Sequence, residues 1–289
     1  MKIRVIGGGI AGCTATRLLL DAGHNVELHE SASRLGGFAF DGNGYQEYGP
    51  HIIHTDDEEV WRFLCRFDEM HEFTHRVFAM QPAGLIEIPR RGDPICDVYN
   101  AKAWPVVPDG AKARYKALPS GYDGGYVPDK FQGIPRAGFT AMMEKMVYGA
   151  EVRTRTYVLP GEGDIFTGSL DEFEAGLDPL RWVGREFSHF WSRVNLPHAV
   201  VNYCTADVPI IRAYQSHLLN TEYITKVSVE MPGRAKMYPF GSDTAAREYT
   251  ERAWSMGIIL LGRGARYKYA DMDVVVRDVM DTLKIRGLI

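Results

Sequence analysis

The feature that most narrows the fold lies in the first dozen residues. Gly7-Gly8-Gly9-Ile10-Ala11-Gly12 fits G-x-G-x-x-G, directly after the apolar run of Ile3, Val5 and Ile6. Each glycine has a mechanical role. Gly7 permits the tight turn, Gly9 lets backbone approach a pyrophosphate, and Gly12 lets a helix pack closely on the strand. From Ala11 to Ala22 apolar residues recur at helical spacing (Ala11, Ala15, Leu18, Leu19, Ala22), and Gly23 stands where a helix stop belongs. The N–H groups of Ile10 and Ala11 would open that helix and offer its positive dipole end to phosphate. Val26, Leu28 and Glu30 resume extended alternation, so the opening reads as one βαβ unit. Glu30 follows Gly12 by 18 residues, where a carboxylate accepts from ribose hydroxyls and repels a 2′-phosphate. NADP is disfavoured; NAD and FAD remain.

Composition removes other classes. The 289 residues are 45% hydrophobic and 24% charged, the balance of a soluble globular protein of one large or two small domains. A formal charge of −4 argues against wholesale binding of nucleic acid or anionic membrane. No apolar run reaches membrane-spanning length. The N-terminus runs at once into the glycine cluster, without a signal-peptide pattern. Cys13, Cys65, Cys96 and Cys204 lie far apart, which suits a reducing cytoplasm and offers no zinc site. The expectation is a cytoplasmic protein with no membrane partner.

Further along, Asp56 to Phe67 reads as a helix capped by Asp56, with Val60, Phe63, Leu64 and Phe67 on one face. Residues 82–131 hold seven of the 15 prolines and form an irregular segment. Gly138 to Val147 predicts a helix and Glu151 to Leu159 an alternating strand. Runs at 199–203 and 223–227 are rich in β formers. Ile258 to Leu261 predicts a buried strand, followed by a Gly262-Arg263-Gly264 turn. The last helix starts near Asp271, with Val274, Val275, Val279 and Leu283 inward.

Two features favour FAD over NAD. Ser31-Ala32-Ser33-Arg34-Leu35-Gly36-Gly37 is a second basic, glycine-bearing turn just past Glu30, and its E-x3-R-x-G-G arrangement resembles the amine-oxidase-like flavoproteins. Leu261-Gly262-Arg263 resembles the late contact such proteins make with the flavin ribityl chain and ring. The helix led by Asp271 and Met272 could aim its N-terminus at the flavin carbonyl edge. Tyr48-Gly49-Pro50-His51-Ile52-Ile53-His54-Thr55 then makes the likeness specific: the chain resembles the UDP-galactopyranose mutase family, whose members carry a similar G-P-H-x-x-H-T run facing the flavin. The likeness continues through Phe131-Gln132-Gly133-Ile134-Pro135, Phe166-Thr167-Gly168-Ser169-Leu170-Asp171, Asp207-Val208-Pro209-Ile210-Ile211-Arg212, Met237-Tyr238-Pro239 and Tyr267-Lys268-Tyr269-Ala270-Asp271.

The resemblance implies an α/β fold, with a Rossmann-like, GR2-type FAD-binding lobe (1–80, 132–168 and 236–289) and a small β-rich substrate lobe (169–235). It implies an isomerase that interconverts pyranose and furanose forms of a nucleotide sugar with reduced flavin. Arg212, Tyr238 and Tyr269, with Tyr126, fall on positions that grip the diphosphate. Asp271 falls on an active-site aspartate, and His51 and His54 beside the flavin. A homodimer is the family's suggestion. His51 and His54 have no third ligand at suitable spacing, so no metal is expected.

The family also carries a helical lid. The interval before Gln132, residues 81–131, instead holds the Pro- and Gly-rich segment, so the lid is expected to be replaced there. A second reading follows from that loss: an FAD-dependent amine oxidase or lyase with an open flavin face. Its substrate could be a modified pyrimidine in DNA, as in phage-type hypermodification, with Arg90, Arg91, Lys112, Arg114 and Lys116 at phosphates.

Overall fold

The computed structural model describes residues 2–81, 84–88, 129–205, 207–240 and 244–289. Most of the irregular segment, with Tyr126, Cys96 and the basic residues from Arg90 to Lys116, lies outside them. The chain divides into two compact units.

The first unit comprises Met1–Gly37, Thr140–Trp182 and Tyr238–Ile289. Its sheet is parallel, in the order Ile259–Leu260, Ile165–Phe166, Lys2–Ile6, Asn25–His29, Glu151–Arg153. Such sheets bury both faces, which is why Val5, Val26 and Leu28 are fully enclosed. The helix Ile10–Asp21 packs beside the C-terminal helix Met272–Ile285. A second cluster joins Phe166, Leu170, Phe173 and Leu180 to Ala253, Leu260 and Tyr267. Its helix, Thr244–Ser255, carries little apolar pattern and is not anticipated by the sequence.

The second unit comprises Phe38–Phe139 and Val183–Met237. Its larger sheet has seven strands in the order Ala235–Pro239, Trp182–Trp191, Lys226–Pro232, Arg212–Gln215, Val200–Tyr203, Val77–Gln81, Gly84–Ile88. A three-stranded sheet sets Ile53–Thr55 and Met70–Glu72 on either side of Phe131–Pro135. The boundaries therefore fall elsewhere than the sequence suggests. Residues 38–80 and 132–139 belong to the second unit because these strands are hydrogen-bonded into its sheets, and 169–182 belong to the first because Leu170, Phe173 and Leu180 pack there.

Several local expectations are corrected. Asp57, not Asp56, caps the helix Glu58–Cys65, accepting from the Glu59 and Val60 N–H groups. Asp56 instead accepts from the Lys130 N–H at 2.7 Å. The strand at 151 stops at Arg153. Beyond it the backbone turns, with Arg155 left-handed at φ 51°, so that Arg155 and Thr156 donate to the carbonyls of Ala32 and Glu30. The Gly262–Ala265 segment is one turn of helix rather than a plain turn. In the last helix Val274 is half exposed, and Val275, Val276, Val279, Met280 and Leu283 form the buried stripe. The strand Trp182–Trp191 went unread because its inward positions include Arg185 and His189, which break the apolar alternation.

Among the described residues, no helix is long and apolar enough to cross a membrane.

Candidate functional site

The glycine loop has the shape its sequence demands. Gly7 lies at φ +108°, a left-handed conformation that costs an L side chain strain. A Cβ on Gly12 would collide with the Gly7 carbonyl oxygen, so only glycine allows the helix to start this close to the strand. Gly9 is the N-cap of Ile10–Asp21, and no side chain caps that end. The helix thus begins in bare backbone with its dipole unblocked.

The second turn closes against the first. The Gly36 N–H donates to the Gly8 carbonyl at 2.9 Å, and a Cβ on Gly37 would stand 3.2 Å from the Gly9 Cα. Glu30 lies one residue past its strand and ties the two turns. Its Oε2 accepts from the Gly8 N–H and its Oε1 from the Ala32 N–H, each at 2.6 Å. Gly262, at φ +81°, also approaches this region, since a Cβ there would lie 2.8 Å from the Ala11 Cβ. Arg34 is half-buried beside these turns. Gly7, Gly9, Ile10, Ala11, Gly12, Glu30, Gly36, Gly37 and Gly262 are therefore brought together. This set fits a dinucleotide: two glycine turns and an uncapped helix start, with a carboxylate between them, leave room for a pyrophosphate that any Cβ would fill. Thr167 supports the loop from behind, its Oγ1 donating to the Ile6 carbonyl at 3.0 Å.

Also in the first unit, Tyr238 and Tyr269 are partly stacked, ring centroids 5.9 Å apart and planes 27° from parallel. The Arg263 guanidinium lies 5.0 Å from both centroids. Tyr269 donates its hydroxyl to Asp271 Oδ1 at 3.2 Å, and Asp271 is the N-cap of the last helix, directly before Met272.

The second unit places its candidates on one sheet face. Arg212 and Glu230 are direct cross-strand partners, and Glu230 is opposite Phe187 on the other side. Because side chains alternate, Arg185, Phe187, His189, Ser228, Glu230, Arg212 and Tyr214 all share that face. Glu230 Oε1 accepts from Arg185 Nε at 2.6 Å, while Oε2 lies 2.7 Å from Arg212 Nε in a close ion contact rather than an aligned hydrogen bond. Glu230 and Arg185 are buried, with Arg212 the most exposed of the three at 19%.

The Tyr45–His51 loop sits on the same face. Tyr214 accepts from the Gly49 N–H at 3.0 Å and shares its own proton between the carbonyls of Gln46 and Glu47. Burial pushes the Tyr214 phenol well above its ordinary value. Gln46 makes a reciprocal pair with the His51 backbone, at 2.9 and 2.7 Å. His51 Nδ1 meets the Gly49 carbonyl at 2.9 Å, whereas His54 Nδ1 pairs with Asp129 at 2.9 Å. The two histidines thus have separate partners.

Glu230, Arg185, Tyr214, Gln46 and Asp129 were not singled out from sequence. Arg185 and Glu230 meet only through strand register, which leaves no local signal, and Asp129 offers none either.

The sequence model of the UDP-galactopyranose mutase family matches residues 95–269, more than half of the chain. The chain belongs to that family. A model for NAD(P)-binding Rossmann-like domains matches residues 5–67, the stretch that holds both glycine turns. Among relatives of this mutase-family chain, a dTDP-fucopyranose mutase of Escherichia coli is 24% identical, covering 98% of each chain. A probable UDP-galactopyranose mutase of Klebsiella pneumoniae is 25% identical over 97% of this chain and 93% of its own. The alignment with the former spans 370 positions against 289 residues, so that relative carries segments with no counterpart here. The fold matches a crystal structure of reduced UDP-galactopyranose mutase at TM-score 0.77 and 14% identity, covering all of this chain and 96% of that one.

Proposed function

We propose that this mutase-family enzyme binds FAD and, with the flavin reduced, interconverts the pyranose and furanose forms of a sugar attached to a pyrimidine nucleoside diphosphate. The observation that carries this reading is the family match itself, because it runs through Arg212, Tyr238 and Tyr269. The two relatives named for UDP-galactopyranose and dTDP-fucopyranose differ in base and in sugar, but share a diphosphate joined to a hexopyranose. The retained side chains suit that common part.

The cofactor's diphosphate would lie at the N–H groups of Ile10 and Ala11, against Gly9 and the Arg34–Gly37 turn, with Glu30 at the adenosine ribose. Gly262 and the helix start at Asp271 and Met272 would receive the ribityl chain and the electron-rich edge of the ring. Bound and reduced, FAD would supply the nucleophilic nitrogen for the anomeric carbon. Tyr238 and Tyr269 would donate to the substrate diphosphate, the leaving group. Arg212 would offset its charge, and a guanidinium suits a phosphate through its planar set of donors. Glu230 keeps that guanidinium in one orientation. His54, whose Nδ1 pairs with Asp129, is the histidine that the family likeness assigns to the flavin.

The test is direct. The purified protein should show flavin absorption bands. After dithionite reduction it should convert UDP-galactofuranose or a dTDP-fucose to the other ring form, with products resolved by chromatography. Oxidised protein should be inactive. Flavin bands with no conversion of either sugar in either state would refute the mutase assignment and favour an oxidase or lyase.

A further inference from the structure

The sequence likeness sends Arg263 to the flavin. Its surroundings describe a different task. Nε and Nη2 both donate to the Ala270 carbonyl, at 2.9 and 2.6 Å, which fixes the plane of the guanidinium. That group stands at 5.0 Å from the rings of both Tyr238 and Tyr269. Such a distance is within the range of cation–π attraction. One side chain therefore contacts Tyr238 near the end of one strand, Tyr269 in the segment before the last helix, and the Ala270 carbonyl that enters that helix.

The chain around it is also constrained. Tyr267 takes a left-handed conformation, φ 47°, uncommon for a residue with a Cβ. Its ring packs edge-on against Trp182 at 5.0 Å, and its hydroxyl donates to the Arg181 carbonyl. The loop from Arg263 to Asp271 is thus anchored in its middle by Tyr267, and near its end by Arg263 through Ala270. Tyr269 and Asp271 flank the anchored carbonyl and are joined by the Tyr269 hydroxyl.

We propose that Arg263 is the positioning residue for Tyr238 and Tyr269, fixing where both hydroxyls stand by holding both rings and the Ala270 carbonyl at once. The identity of the ligand those hydroxyls meet rests on the mutase reading above; the positioning itself does not. A lysine cannot replace it, because a point cation has no planar edge to grip the carbonyl while lying over two rings.

The experiment uses the flavin-loaded protein, with UDP as the probe. R263Q and R263K should each weaken UDP binding about tenfold, since two ring contacts and a forked carbonyl contact are lost together. FAD affinity should stay within about twofold, as the Ala270 carbonyl and tyrosine rings are protein groups. In a Y238F/Y269F background, R263Q should change UDP affinity by less than about twofold, because the hydroxyls it positions are gone. Loss of FAD with UDP affinity intact would overturn the proposal, as would an undiminished R263Q effect in that background. In parallel, ring-labelled tyrosine NMR should show the resonances of Tyr238 and Tyr269 moving and broadening in R263Q. If wild-type protein fails to bind UDP, the nucleotide-sugar reading falls, and the tyrosine resonances alone decide: unmoved, they overturn the positioning role.

Discussion

The two units handle charge in opposite ways. In the first, the candidate cofactor cradle is mostly backbone: two glycine turns, an uncapped helix start and a single carboxylate that accepts two N–H groups. In the second, a sheet face carries two arginines on one buried glutamate, with a phenol and a histidine alongside. The contrast follows from how each geometry arises. A backbone cradle is built by residues near one another in sequence, so glycines at fixed offsets suffice. A cross-strand charge cluster is built by register, and its members come from positions 185, 212 and 230, with nothing local to link them.

The sharpest way to break the contrast is to remove the shared carboxylate. Glu230→Ala would leave Arg185 buried beside Arg212 without its anion, and should destabilise the protein by about 3–5 kcal/mol, seen as a lower urea midpoint. A loss under about 1 kcal/mol would mean that the cluster is not held together by its charges. The matching change in the other unit is Gly12→Ala. Its Cβ would meet the Gly7 carbonyl, so we expect about 1–3 kcal/mol of destabilisation and, more tellingly, purified protein without flavin bands. Flavin retained at full occupancy would show that the cradle tolerates widening.

Tyr214→Phe should cost about 1–2 kcal/mol, because the Gly49 N–H loses its partner in a buried setting. Hydrogen exchange at Gly49 should rise while the Gly8 and Gly36 amides stay protected. Parallel loss at all three would argue that the effect is global.

The smallest effect separates the units by pH. Burial lowers the His189 pKa, with Lys226 adding to that and Glu47 opposing it. A folded value below the unfolded one means the unfolded chain takes up the proton first. Stability is then full above the ordinary histidine range and falls as pH drops through it. Glu27 in the first unit is lowered chiefly by its bond to Lys2, with His29 and Arg153 assisting. Its contribution persists until pH falls below the ordinary glutamate range. Melting curves from pH 7.5 to 5.5 should thus decline with wild-type His189 and flatten in His189→Gln, whereas Glu27→Gln should leave that range unchanged and alter the curve only when it is extended below about pH 4.5. An unchanged slope in His189→Gln would remove the imidazole as the source.

This division also explains what could be read in advance. The βαβ opening, the glycine turns and the terminal strand and helix were legible because their signals are periodic or contiguous. The G-P-H-x-x-H-T run was legible only through its likeness to a family. Its seat was not, since Tyr214 reaches it across more than 160 positions. The strand Trp182–Trp191 was hidden for a related reason: Arg185 and His189, on either side of Phe187 on the face of the charged cluster, are polar and break the alternation that would mark a strand. Val274 was placed inward by counting apolar residues, but the helix turns it outward and gives its place to Val276 and Met280.

The seat of that motif loop has a consequence for how such a protein can change over generations. On this loop Tyr214 grips main-chain groups, the carbonyls of Gln46 and Glu47 and the amide of Gly49. Main-chain groups are the same whatever side chains they carry. Much of the loop's address on the sheet is therefore written in one phenol, and Glu47 can change its side chain beneath that grip, whereas Tyr48, edge-on to Phe187 at 5.8 Å, belongs to the seat itself. A lineage, or a protein engineer, could revise position 47 and leave the Tyr214 bonds as they are.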